Sequence, residues 1–545
     1  MTGTPVRYDP SLERLAPDEA QTREALVATM RGIAETTLRD YGHAVRSVHA
    51  KSHALLEGEL TVLDNLPPEL AQGMFARSGT FPVVMRVSTN PGDILDDRVS
   101  APRGLAVKVI GVQGERLPGS EGAVTQDFVM ANGPAFVAPD AQTFLGSLKL
   151  LAATTDKAEG GKMALSAALR GVNTALQAVG VESPTVTNMG GQLLTHPLGE
   201  SFYTQAPLRH GDYVAKIVVA PVSPNLVALK DQPLDLRGNS NGLRQAAIDA
   251  LAHEGGEWEV RVQLCTDLER MPIEDASKPW PEDESPYRAV ARIRVSSQPA
   301  WNEARAAQAD DGLAFSPWHG LAAHQPLGSV NRSRRPTYAA MSAFRAEHNG
   351  KPNPEPNAAV GLSQAPASAM GTTPGREGFR NARLVPQKSG FGRRAGAGAL
   401  GGLVGGLLVS AVLLVKRSVT GEPSDLVQIQ RKLVSPRTPS WVQGDADVQE
   451  EGAAHGGHLA LSMASGALYG ALKPAGVPPV TAGLTFGMGF LALAYGAAGP
   501  ALRLTPPPTR DTPAGNLQHV AVHALFGVAT ALVAERLERR FVCQR

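Results

Sequence analysis

The chain has 545 residues, with 52 Lys and Arg against 51 Asp and Glu, a formal charge of +1 and two cysteines. That length exceeds one ordinary hydrophobic core, so two or more domains are expected. The charge balance, with no extended basic stripe, excludes the electrostatic footprint of a nucleic-acid binder. Cys265 and Cys543 stand far apart without metal-ligand spacing, which argues against a disulfide framework or a thiolate zinc site and suits a reducing compartment. The polar, acidic start MTGTPVRYDPSLERLAPDEA lacks the apolar stretch of a secretory signal.

In chain order, Leu26, Met30, Ile33 and Leu38 recur at helical spacing and predict a helix within 12–41. The runs VRSVHAK, GELTVL, FPVVMRVST, GLAVKVIGV, YVAKIVVAPV, WEVRVQLC and YRAVARIRV are alternating or β-branched. Gly, Pro, Asn or Asp punctuates them, as in a sizeable sheet or barrel. Helical stretches such as FLGSLKLLAATT and KMALSAALRGVNTALQAV fall between strands, so residues 1–350 read as one α+β domain. Residues 351–394 are rich in Pro, Gly, Ser and Ala without apolar period and read as a linker.

Residues 395–545 read as a membrane domain with about four transmembrane helices. The run 395–415 is uncharged, and Gly398, Gly402 and Gly406 give it a small-residue face for close helix packing. Low-charge stretches follow near 453–472, 480–498 and 517–534. HLALSMASGALYGAL from His458 and HVAVHALFGVATALV from His519 look like copies, with Gly466 and Gly527 at matching places. Buried helices of a soluble bundle are the alternative, since Ala and Gly make these stretches only mildly apolar. Lys and Arg flanking the spans, such as Arg393, Arg394, Lys473, Arg539 and Arg540, favour the side that holds residues 1–350. The expectation is therefore a bacterial-type inner membrane with the first domain facing the cytoplasm.

Five places in the first domain combine chemically useful residues. Arg46 and His49 lie in RSVHAK, and in MRVST Arg86 and Ser88 share one strand face. PRGLAVK, from Pro102, is a turn feeding a strand, and DFVMANGPAF, with Asn132, is a strand ending in a turn. In NRSRRPTY, Ser333 could cap a helix with Pro336 in its first turn. Arg334, Tyr338 and Arg345 then fall near one stripe, and a phenol flanked by guanidiniums favours phenolate, an oxygen ligand for ferric iron. Taken singly, each motif reads first as something ordinary, a packed histidine, a solvated basic face or a strand ending in a turn.

Together and in this order, the five motifs resemble the haem catalase superfamily, in particular its short catalase-like peroxidase branch. The resemblance implies an antiparallel β-barrel with helices, haem b with its iron as cofactor, and peroxide plus a small-molecule electron donor as partners. The lipid bilayer is a further partner, and a homo-oligomer is compatible. The resemblance makes His49 the distal acid–base group, Ser88 its hydrogen-bond partner and Tyr338 the iron ligand. Arg334 would hold Tyr338, and Arg46, Arg86 and Arg345 would meet the haem propionates. Phe136 and Phe144 would line the distal pocket, and Asn132 would hold the substrate oxygen if one residue is skipped. Ala101 and Asn90 depart from the family's peroxide channel, which implies a wider site open to organic hydroperoxides. Two alternatives are a fatty-acid hydroperoxide isomerase or dehydratase of the allene-oxide-forming type, which Val48 beside His49 disfavours, and a membrane-bound haem sensor or carrier without turnover.

Overall fold

The computed structural model describes residues 3–154 and 192–364 throughout, then chiefly 401–410, 477–493 and 512–542. The helix expected at 162–179 and most of the 351–394 stretch lie outside the described residues. Contacts group the chain into one unit of Met1–Glu159 with Leu193–Asn381, and a second of Gly160–Gln192 with Ala382–Arg545.

The first unit is α+β and built on an antiparallel barrel. Its strands are β1 (Ser52–Val62), β2 (Gly79–Thr89), β3 (Arg103–Ile110), β4 (Thr125–Ala131), β5 (Phe202–Tyr203), β6 (Leu208–His210), β7 (Tyr213–Pro221), β8 (Gly256–Leu264) and β9 (Arg288–Val295). They pair in the order β5-β4-β3-β2-β1-β9-β8-β7, and a β5–β7 pairing closes the ring while β6 hangs on β7. Closure removes the open edges a sheet would otherwise expose. Alternate residues fill the interior, among them Leu56, Leu60, Val83, Met85, Val87, Leu105, Val107, Ile217, Val260 and Ile293. The intervening residues therefore point outward. On β2 and β3 these include Arg86 and Ser88, opposite Ala106 and Gly104.

Helix α1 (Glu19–Tyr41) and helix α2 (Ala141–Thr154) share a core of Leu26, Met30, Ile33, Leu145 and Leu148. Helix α3 (Gly242–Leu251) buries Leu243, Ala247 and Leu251. Helix α4 runs Gly328–His348. It starts five residues before the expected Ser333 cap, because its first N–H groups are met from a distance. Gly328 donates to Glu13 Oε1 at 3.0 Å and Ser329 to Glu274 Oε2 at 2.9 Å. Those carboxylates converge with Glu19 on Arg332, whose guanidinium bridges all three and has its pKa raised. Pro336 thus lies inside the helix, forgoing one backbone hydrogen bond.

VRSVHAK is a loop rather than the expected strand, and β1 begins at Ser52 after it. Its β-branched residues suggested extension, but His49 adopts a left-handed φ of 55° and donates its N–H to the Asn90 carbonyl at 2.7 Å. For a non-glycine residue that conformation costs about 1–3 kcal/mol and tends to mark functional sites.

In the second unit, α5 (Pro479–Leu491) packs on α6 (Pro513–Val542). Gly515–Arg536 within α6 is long and apolar enough to cross a membrane, while Gly401–Ser410 and α5 are shorter apolar helices among the described residues. Glycines set the contacts. A Cβ on Gly402 would come within 2.8 Å of Gly466 Cα, and one on Gly487 within 3.3 Å of Gly527 Cα. The two glycines of the repeated His-led stretches are thus both helix-contact points.

Phe75 anchors a ring cluster of Phe128, His210 and His324, with centroids 6.3, 6.0 and 5.5 Å away. Phe75→Ala is expected to cost about 3–5 kcal/mol. This would be read as a lowered urea midpoint of the full chain in detergent, and an unchanged midpoint would contradict this packing.

Candidate active site

The outward residues of β2–β4, the loop before β1, the segment 314–319 and one face of α4 enclose a cavity. It encloses about 210 Å³ of space that a water-sized sphere can enter, and it opens to solvent on one side. His49, Ser88, Arg46, Arg86, Tyr338 and Arg345 all line it.

On the strand side, Ser88 Oγ lies 3.2 Å from His49 Nδ1, which leaves Nε2 for exchange with a ligand. Gly104 makes room for this ring, since a Cβ there would fall 2.5 Å from His49 Cε1. Desolvation, then the charges of Arg86, Arg334 and Arg46, push the His49 pKa down to about 3. His49 is therefore a neutral base at any ordinary pH.

On the helix side, Arg334 donates to the Tyr338 phenol oxygen at 2.9 Å and stands over its ring at 5.2 Å. Arg334 also donates to Asn331 Oδ1 at 3.2 Å. The i, i+4 spacing read from sequence thus brings guanidinium and phenol together. It is Arg335, one residue on, whose side chain lines the cavity beside Tyr338.

At one end three guanidiniums meet a single residue. Asp310 accepts from Arg86 Nε at 2.6 Å and Arg46 at 3.2 Å through its carboxylate, and from Arg345 at 2.6 Å through its carbonyl. Burial and then mutual repulsion push Arg345 down to about 10 and Arg46 well below its ordinary value. Three guanidiniums against the carboxylates of Asp310 and Asp311 leave this end of the cavity short of negative charge.

Asn132 does not join these groups. Its side chain accepts from the Arg103 N–H at 3.0 Å and donates to Glu200 at 2.8 Å, and it is absent from the cavity wall. The rings of Phe136 and Phe144 lie 5.0 Å apart, one layer back. Phe144 packs with Met30, Val48 and Met341, which themselves face the cavity. Four residues with no marked place in the sequence reading also belong here, namely Asp310, Trp318, His319 and Arg335.

His319 is one corner of a charged cluster. Its Nδ1 lies 2.9 Å from Glu355 and 3.3 Å from Asp127, while Lys108 Nζ meets the same two carboxylates at 2.6 and 2.8 Å. Asp127, His319 and Glu355 have the spacing of a metal site, but the Lys108 ammonium already occupies the space between the carboxylates. Burial alone would lower the His319 pKa, yet Asp127 and Glu355 raise it to about 9.

No protein-family model matches the chain, and no curated protein matches it. Among solved structures it is similar to a bacterial catalase, with 14% identity and TM-score 0.41, over 65% of this chain and 66% of that one. It is also similar to catalase A from Saccharomyces cerevisiae, at 14% identity and TM-score 0.41, over 79% of this chain and 91% of that one. A fungal catalase gives 15% identity and TM-score 0.42, over 81% and 90%.

The histidines set an expected pH profile. His49, His324 and His210 are pushed to about 3, 3 and 4, chiefly by desolvation. The unfolded chain binds protons at these positions below its ordinary histidine pKa while the fold does not, so stability falls as pH drops from about 6.5 toward 4. His319 contributes in the opposite sense, stabilising at neutral pH and losing that contribution as pH rises through about 9. Urea midpoints should peak near neutrality, and His319→Gln should flatten the alkaline limb. A midpoint constant from pH 4 to 7 would contradict the buried neutral histidines.

Proposed function

We propose that the first unit reduces hydrogen peroxide or organic hydroperoxides with a bound haem, and that the C-terminal unit tethers it to a membrane. The observation that carries the reading is a single cavity lined by both the His49–Ser88 pair and the Arg334-held Tyr338. In domain terms the proposal is a haem domain over 1–350, a linker over 351–394 whose first residues pack on that domain through Glu355 and Leu362, and a membrane domain over 395–545. The catalytic unit would face the cytoplasm.

The residues present fit a haem. The surplus of positive charge at Arg46, Arg86 and Arg345 suits two propionates. The Tyr338 oxygen, with one donor on it, retains lone pairs for iron. Gly104 leaves the wall flat where a side chain would intrude on His49. Bound there, haem would supply the redox chemistry of O–O cleavage.

The chain's own part is proton handling and orientation. Neutral His49 takes the proton of a bound peroxide at Nε2 and returns it to the departing oxygen, which leaves as water or alcohol. Ser88 fixes the ring through Nδ1 so that Nε2 is the exchanging atom. Arg334 orients Tyr338 from the same helix, while Ser88 on β2 holds His49 in the loop before β1. Asn132 takes no part, being held by Arg103 and Glu200.

Tyr338→Phe should abolish or severely weaken haem retention, read as loss of the ferric spectrum in the purified full chain. His49→Ala should keep haem and lose roughly two to four orders of magnitude in peroxide turnover. A Tyr338→Phe spectrum identical to the parent, or near-normal turnover in His49→Ala, would sink the assignment. Oxygen evolution measured with and without an organic donor would separate catalase from peroxidase turnover.

A further inference from the structure

The cavity has a second electropositive end, away from the three arginines that Asp310 gathers. Its rim is formed by Pro118, Gly119, Arg335 and Ala339, all solvent-exposed, with Trp318 and His319 half-buried beneath. Arg335, on which the Glu121 carboxylate acts without direct contact, lies over the Trp318 ring at 5.3 Å. That contact holds a planar guanidinium against the rim, and Trp318 is itself fixed by donating Nε1–H to the Asn331 carbonyl at 2.8 Å.

His319 offers its other nitrogen. Nδ1 faces Glu355 and Asp127 at 2.9 and 3.3 Å, so an imidazolium held there presents its Nε2–H elsewhere, on a residue that lines the cavity. With His319 protonated, as the Asp127 and Glu355 carboxylates favour, Lys108, His319 and Arg335 carry three positive charges against the two of Asp127 and Glu355, a surplus of one. Arg116 and Glu121 add one charge of each sign nearby. A guanidinium and an imidazole N–H over an aromatic ring form a donor set for a planar carboxylate attached to an apolar body.

We propose that this rim is a subsite for the carboxylate of an organic substrate, bound by Arg335 and His319 with its apolar part against Trp318. The proposal rests on the cavity being the active site. It gives that site a substrate class, a carboxylate-bearing hydroperoxide or a carboxylate-bearing electron donor, that hydrogen peroxide alone would not require.

The first test is calorimetric titration of the full chain in detergent with benzoate and with its neutral counterpart benzamide. Benzoate should bind on the order of tenfold or more tighter, as charge-assisted hydrogen bonds imply. Arg335→Gln should remove that preference, and His319→Gln should weaken it. Arg335 is exposed and outside the core, so its variant reads the subsite even if His319→Gln folds poorly. Benzoate binding that survives Arg335→Gln but is lost in Arg345→Gln would place the anion at the other end and overturn the proposal, as would equal binding of benzamide. This titration needs no turnover, so failure of the peroxide reading and failure of the subsite are separate results. Kinetics with a fatty-acid hydroperoxide against its methyl ester, and with ferulate against methyl ferulate, identify the source. Whichever acid shows the lower KM than its ester is the substrate that uses the rim, and no acid preference in either pair overturns the proposal.

Discussion

Three guanidiniums gathered on one aspartate is the constraint around which the site is arranged. Arg86 and Arg345 are buried and Arg46 largely so. The Asp310 carboxylate pairs with Arg46 and Arg86, while its carbonyl accepts from Arg345. Buried charge of one sign is expensive unless paired. The same field, together with desolvation, keeps His49 unprotonated. A base that stays neutral next to an anion-seeking wall is a combination that the barrel makes possible, because β2 places Arg86 and Ser88 on one outward face. Neither property would survive if the strand slipped by one residue, since that would send both side chains into the barrel interior.

Much of the architecture was legible locally. Period-two alternation identified most of the long strands, and it placed Arg86 and Ser88 on a common face before any contact was known. The i, i+4 step from Arg334 to Tyr338 likewise survives as a hydrogen bond. What could not be read was everything decided by distant partners. Helix α4 starts at Gly328 because carboxylates from Glu13 and Glu274 reach its first N–H groups, a cap with no local signature. The β-branched run before His49 suggested a strand, while its backbone bonds to Asn90 and Pro91 turn it into a loop.

The site residues divide the same way. Asp310, Trp318 and His319 sit in stretches with no periodic or motif signal, while Arg335 lies in NRSRRPTY without a role assigned to it there, and only the fold shows where they stand around the cavity. Asn132 shows the same dependence on distant partners. Its place after a strand was correct, but Arg103 and Glu200, distant in the chain, decide where its amide points. In the second unit the glycine spacing did report contacts, because close helix approach depends on the absence of a side chain rather than on what a side chain meets.

The Arg332 bridge has a consequence for how the first unit assembles. Arg332 joins Glu13 across 319 residues of chain and Glu19 across 313. The segment leading into α1 therefore waits for almost the whole unit to be synthesised before its acidic side chains find their partner. Contacts of such separation are made late and slow the approach to the native state. Tyr338 lies less than two turns beyond Arg332 on the same helix, so its position depends on the same long-range contacts. The cavity is thus completed only once the two ends of the unit have closed on each other.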